Sequence, residues 1–193
     1  MIIKLNAKYL KEVAYLHTSV LSYTFNSKIG TSYIEKLYEL TIDNPYAYSI
    51  LYLSEEKKVR GFLTATYDYH KYRRYIRNEL DFKTKLRIFF QLIKQPVNIY
   101  DFGKDILFAR HLERLTSSVY STILTLGIDS SLQRKGIGTL LLRNLELHFN
   151  NKRLQKLFVD TKTFNINACK FYTKKGFKKT EKYFDNVIYS KKI

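Results

Sequence analysis

At 193 residues, 45% of them hydrophobic and 16% aromatic, the chain has enough apolar material for a proper core and too much for a disordered one. A single cysteine, Cys169, excludes an internal disulfide and any cysteine-based zinc site, and His17, His70, His111 and His148 lie too far apart for metal-ligand spacing. The formal net charge of +17 fits a nucleic acid, an anionic membrane face or a polyanionic small ligand as partner, but lysines that merely fill solvated positions would give the same number.

The opening residues carry charges too early and too often for a signal peptide, and no apolar run is long enough to span a bilayer, so a cytoplasmic protein is expected. Ile2 to Leu5 predicts a short strand. Asn6 can cap a helix from about Lys8 to Tyr23, with Leu10, Val13, Ala14 and the stretch Leu16 to Leu21 toward the core. A second helix opens at Gly30 and runs to Ile42, with Ile34, Leu37, Tyr38 and Leu40 at helical spacing and Asp43-Asn44-Pro45 as its stop. Ala47 to Ser54 and Val59 to Tyr67, rich in aromatic and β-branched residues, flank the charged turn Glu55-Glu56-Lys57-Lys58 and predict a hairpin.

Residues 68–117 change character: arginine, lysine, aromatics and leucine dominate, with Pro96 and Gly103 as breaks, and the segment reads as a helical insertion. Within it Phe82, Leu86, Phe89, Phe90, Ile93 and Val97 share one helix face, with Lys83, Lys85, Arg87 and Lys94 around them. Such a helix ordinarily packs its apolar face on the core; the alternative is a membrane or partner surface.

Beyond the insertion, Val119 to Ile128 predicts a strand, Gly136 to Asn150 a helix and Gln155 to Thr161 a second strand, which a right-handed crossover would make parallel to the first. A short helix, Asn165 to Lys175, closes on Gly176, and a hairpin of Phe177 to Phe184 and Val187 to Lys191 turns at Asp185-Asn186. No repeat or linker divides the chain, so 1–193 reads as one domain with an embellishment at 68–117.

The strand-to-helix connection holds the chemistry. Gln133-Arg-Lys-Gly136-Ile-Gly138-Thr139 offers two glycines that allow close backbone approach, a helix start with unpaired N–H groups, and two cationic side chains: the makings of an anion site. The pattern Gln133-x-x-Gly136-x-Gly138 after a strand resembles the acyl-CoA loop of the GNAT superfamily of N-acetyltransferases. Asn165-x-x-Ala168-x-x-x-Tyr172-x-x-x-Gly176-Phe177 resembles that family's second signature, in the right order and separation. The likeness covers Val119 onward well and residues 1 to about 68 more loosely.

That resemblance implies an α/β (α+β type) fold with a mixed, partly splayed central sheet flanked by helices, and transfer of an acetyl group from acetyl-CoA directly to a primary amine, without a metal. By the same resemblance the amides from Gln133 through Arg134, Lys135, Gly136, Ile137 and Gly138 to Thr139 would take the pyrophosphate, and Leu126, Gly127 and Ile128 would pair with the pantetheine arm like an added strand. Asn165 would bond that arm, its own alternative being a helix cap, and Tyr172 would serve the departing thiolate. Phe171-Tyr172 could instead merely pack its helix on the sheet.

Two departures stand out. Ser130 replaces a common proline, and the strand before the loop has Leu124 and Thr125 where many members carry the carboxylate that deprotonates the amine. His70, His111, Glu113, Tyr120 and Asp68 are the remaining candidates for a base, and the sequence does not rank them. Cys169 reads as a packing residue and His148 as a cation or donor at a helix C-terminus. The acceptor implied is a small or carrier-linked amine, a nucleotide-linked amino sugar being one kind that suits the basic insertion. Protein N-termini or lysines are the alternative acceptors, and a non-catalytic acyl-CoA-binding or basic nucleic-acid- or membrane-binding module is the alternative class. No nucleic-acid module is recognisable, so none is expected as a partner; a second copy of the chain and a membrane surface remain compatible partners.

Overall fold

The computed structural model describes residues 1–94, 99–100, 103–104, 106–108, 110–111 and 121–193. Its strands are β1 (Ile2–Lys4), β2 (Ala47–Leu53), β3 (Val59–Thr66), β4 (Thr122–Ile128), β5 (Lys156–Lys162), β6 (Lys178–Tyr183) and β7 (Asn186–Lys192). They form one mixed sheet in the order β1-β2-β3-β4-β5-β7-β6, every pair antiparallel except β4 with β5. The helices are α1 (Leu10–Val20), α2 (Phe25–Ile29), α3 (Thr31–Ile42), α4 (Tyr69–Glu79), α5 (Phe82–Lys94), α6 (Ile137–Asn151) and α7 (Ile166–Lys174). The described residues between 99 and 111 are also helical.

Strand alternation sorts the apolar residues into two cores. Ile50, Leu63 and Ile123 meet Leu141, Leu142, Leu145 and Phe149 of α6 and Tyr172 of α7 on one face. Leu51 and Phe62, one position along, meet Val13 and Ala14 of α1, Phe25 and Ile29 of α2, and Ile34 and Tyr38 of α3 on the other. On that second face, farther along the sheet, Phe108 from the inserted segment packs with Phe158, Ile188 and Tyr183. The insertion therefore lies across the sheet from α6.

Most predicted elements stand within two residues of their expected ends. The first helix is shorter: Asn6 accepts from the Lys8 N–H (3.1 Å), but it caps a 3-10 turn at Ala7–Tyr9, and α1 ends at Val20. Phe25–Ile29, unassigned in the sequence, is a helical turn capped by Thr24. The β4 strand begins at Thr122; Val119 and Tyr120, expected within it from the sequence, lie outside the described residues, as do Pro96 and Val97.

A larger correction concerns α5. The face expected to pack on the core is turned outward: Phe82 is 78% exposed, Phe89 55% and Ile93 58%, and Leu86 and Phe90 are exposed too. The inner side is instead made by Thr84, which is buried, and by Ile88 and Leu92, which pack beside α2 and α3. Gln91 donates to the Lys28 carbonyl (2.9 Å) and Arg87 to Ser32 Oγ, fixing that orientation. The body meets α5 with an apolar seat for Ile88 and Leu92 and with hydrogen-bond partners for Arg87 and Gln91, which together leave the aromatic stripe outside.

Candidate active site

The parallel strands part almost as soon as they meet. β4 and β5 are paired only at Thr122 with Phe158 and Ile123 with Val159. On its other side β4 stays with β3 to the end, Gly61 opposite Ile128, but Thr64 faces Thr125 and Ala65 faces Ile123, which leaves Leu124 as an extra residue. A bulge bends the strand that carries it. From Leu124 onward β4 thus diverges from β5, and a V-shaped gap opens toward the glycine loop.

Alternation decides which β4 groups line this gap. The Asp129 N–H donates to the Arg60 carbonyl of β3 (2.9 Å), whereas the Ile128 carbonyl accepts from Gln133 Nε2 (3.3 Å). Residues 128 and 126 therefore turn their N–H groups to the gap, and Gly127 turns its own toward β3. Glycine is required at 127 for a different reason: a Cβ there would sit 2.4 Å from Phe62 Cζ. Leu126 and Ile128 thus turn N–H groups to the gap, and Gly127 makes room for Phe62.

At the mouth of the gap the chain turns sharply into α6. Asp129 accepts from the N–H and hydroxyl of Ser131 and from Arg60 Nη1 (2.9 Å), bonds that hold its carboxyl below the ordinary range. Arg134 and Gly136 both adopt positive φ (62° and 85°), and glycine makes the second of these inexpensive. No side chain caps α6, whose first backbone acceptor outside the helix, Gly136 O, is met by the Leu140 N–H (3.0 Å). The N–H groups of Ile137, Gly138 and Thr139 are accordingly left to face the loop. A Cβ on Gly138 would only touch the Phe171 ring at 3.5 Å, so the fold itself does not demand glycine there. Arg134 and Lys135 are exposed. Beside the loop, Thr139, Leu142, Arg143, Glu146, Lys174, Lys175 and Lys191 line a cleft of ≈ 230 Å³ that no sequence motif marked, with Lys191 paired to Glu146 (2.7 Å).

Tyr172, on α7, is buried in the core on the α6 face of the sheet. Burial pushes its phenol well above the ordinary range, and the charges of Asp160 and Tyr23 push it further. Asp160 sits on β5 one residue past the last pairing with β4; since Leu157 and Val159 join the α6 core, it points to the opposite face with Phe158. Tyr23, in the turn after α1, accepts from Asn165 Nδ2 (3.1 Å) and packs edge-on against Phe164 (5.4 Å). Asn165 Oδ1 meanwhile accepts from the Ala168 N–H (3.1 Å), so Asn165 does cap α7.

The buried polar row Ser49, Thr64, Thr125 crosses β2, β3 and β4 beside the bulge, with Ser49 and Thr64 bonded (2.7 Å).

Of the other candidate bases, His70 lies in the first turn of α4. Asp68 caps α4, accepting from the Lys71 N–H (3.1 Å), and His111 bonds Glu181 (2.7 Å) and stacks on Tyr183, two strands beyond β5. Glu113 and Tyr120 lie outside the described residues. His148 stacks on Tyr48 (3.8 Å) and bonds Tyr67 (2.8 Å); burial, then Lys152 and Lys4, lowers its pKa, which disfavours the cation expected of it. Cys169 is half-buried in the α6 core. Among the described residues no group of three or more His, Cys, Asp and Glu side chains could hold a metal.

Residues 106–177, which span the bulged strand, the loop and α7, match the acetyltransferase (GNAT) family model. The match to that GNAT family model covers 72 of the 193 residues. Among solved structures the chain is similar to the PaiA N-acetyltransferase of Thermoplasma acidophilum in complex with coenzyme A, at 14% identity and TM-score 0.65, covering 100% of this chain and 98% of that one. It is also similar to Arabidopsis thaliana NAA60 in complex with a bisubstrate analogue, at 13% identity and TM-score 0.65 over 100% and 97% of the two chains. The aminoglycoside 6'-N-acetyltransferase AAC(6')-IG of Acinetobacter haemolyticus aligns at 16% identity and TM-score 0.59 over 95% and 94%. At such identities these likenesses establish the GNAT fold alone. Among curated proteins none matches the chain.

The sequence pointed to the glycine loop and Tyr172, but not to the positions of Asp160 and Tyr23. A trace of Asp160 existed, as a carboxylate interrupting the apolar run Leu157-Phe158-Val159. For Tyr23 no signal existed, because its contact with Asn165 joins residues 142 positions apart.

Proposed function

We propose that the protein acetylates the primary amine of a small or carrier-linked anionic acceptor, such as a nucleotide-linked amino sugar, with Asp160 as the base and Tyr172 serving the leaving sulfur. What supports this is the place of Asp160 on β5, one residue past the last pairing with β4, together with the bond from Asn165 to Tyr23 (3.1 Å) at the start of the helix that carries Tyr172. Acetyl-CoA supplies the acyl group as a thioester. The α6 N-terminus and the basic cleft beside it suit its phosphates, through N–H groups aimed at one point and the cations Arg143, Lys174 and Lys175. The gap-facing N–H groups of Leu126 and Ile128 are available to its pantetheine amides and to the thioester oxygen.

An amine is nucleophilic only when neutral, so the reaction needs a carboxylate on the acceptor face to take the ammonium proton. Asp160 is the carboxylate placed for it. Tyr172 is held neutral by its surroundings across the physiological range, so it is suited to donate a hydrogen bond to the developing thiolate rather than to surrender its proton outright. The acceptor's charge is argued from α4, which leaves β3 at the closed end of the gap and carries Arg73, Arg74 and Arg77. Guanidinium groups suit phosphates in this way.

Release of free thiol from acetyl-CoA, measured across nucleotide-linked amino sugars, uncharged amino sugars and peptides, tests the acceptor. The anionic amines should turn over best, and Arg74→Ser with Arg77→Ser should raise the acceptor KM by about 10-fold while CoA affinity holds. Asp160→Asn should lower kcat about 10²-fold or more, least so at high pH where the free amine forms unaided. Full activity of Asp160→Asn at neutral pH would remove it as the base, and preference for peptides would overturn the acceptor assignment.

A further inference from the structure

We propose that α5 is a lipid-binding helix that seats the enzyme on an anionic membrane surface. At about 100° of rotation per residue, Phe82, Leu86, Phe89, Phe90 and Ile93 fall within one arc of about 100°. All five are exposed. This is not a loosely attached helix, since its inner side is bonded to Lys28 and Ser32 and Thr84 is buried. Single exposed apolar residues need no explanation, but a contiguous arc of three phenylalanines, a leucine and an isoleucine on a fixed helix does.

Charge decides what covers it. Lys83 and Arg87 border the arc on one side and Lys85 on the other, and between Phe82 and Lys94 there is no carboxylate. A second copy of the chain bringing the same face would set these cations against one another. A surface of phosphate headgroups over acyl chains complements both parts of the pattern: the apolar arc sinks to the acyl boundary while lysine stems extend their ammonium groups to the phosphates. The helix has 13 residues, about 20 Å at 1.5 Å per residue, too short to cross a hydrocarbon core of about 30 Å, so it lies in the interface.

The test is co-sedimentation of the full chain with vesicles of phosphatidylcholine alone and of phosphatidylcholine with phosphatidylglycerol, alongside its sedimentation equilibrium without lipid. Binding is expected to the anionic vesicles, at least about 10-fold weaker for the combined Phe82→Ser, Phe89→Ser, Ile93→Ser variant and weaker again in high salt. All three positions are exposed, so an unchanged melting temperature certifies the variant's fold. A folded wild-type chain that ignores anionic vesicles overturns the proposal. So does binding that the apolar variant leaves intact, which would assign it to the basic surface at large. A lipid-free dimer that the same variant disperses would give the face to a second copy instead.

Discussion

α5 and α6 are amphipathic helices of similar length, 13 and 15 residues, and they use their apolar arcs in opposite ways. In α6 the arc of Leu141, Leu142, Leu145 and Phe149 is buried against the sheet, and the helix's other asset, its uncapped N-terminus, is aimed at the gap between β4 and β5. In α5 the corresponding arc faces outward, and the side with Thr84 and Gln91 meets the body. Periodicity reports that a helix has an apolar side; what that side touches depends on the neighbouring surface. A sheet face lined by Ile50, Leu63 and Ile123 accepts the leucines of α6, whereas the junction with α2 and α3 takes Ile88 and Leu92 of α5 together with the hydrogen bonds of Arg87 and Gln91.

The largest expected effect lies in α6. Phe149→Ala removes a ring that is wholly buried and should lower stability by about 3–5 kcal/mol, read from denaturant unfolding. A loss below about 1 kcal/mol would mean that α6 is no better anchored than α5.

Next comes pH, which should act on the packed helices and spare α5. His17 in α1 is buried, bonded to Tyr38 (2.9 Å) and stacked on Phe62, and burial lowers its pKa from 6.5 to about 4. A depressed histidine pKa means that the folded state resists the proton. The stability it contributes is complete above about pH 6.5 and disappears as pH falls toward about 4, on the order of 3 kcal/mol over that window. His17→Gln should flatten the fall in melting temperature between those pH values; an unchanged slope would place the titration elsewhere.

The start of α6 can be tested without disturbing its packing. Because a Cβ at Gly138 meets only ordinary contacts, Gly138→Val should fold, yet lose at least about 10² in CoA affinity by obstructing the approach to the loop amides. Calorimetric titration that finds normal affinity in the folded variant would move the pyrophosphate away from these amides. The smallest effect belongs to α5: Phe89→Ser, at a position 55% exposed, should change stability by less than about 0.5 kcal/mol. A loss comparable to that of Phe149→Ala would erase the contrast between the two helices.

The strands, the glycine loop and the Asn165-to-Phe177 pattern were legible because they rest on local rules. Side chains alternate along a strand, only certain residues adopt positive φ at a turn like Gly136, and a helix start binds anions whatever lies around it. Tertiary structure alone decided the rest. Leu124 becomes a bulge only through its register against Thr64 and Ala65; Asp160 becomes a candidate base only because β5 leaves β4 just before it; Gly127 is spared a side chain by Phe62 on the neighbouring strand. The outward turn of Phe82, Phe89 and Ile93 depended on what α2 and α3 offered in return. Each of these depends on partners distant in sequence, and burial energy is a property of the pair of surfaces rather than of either one.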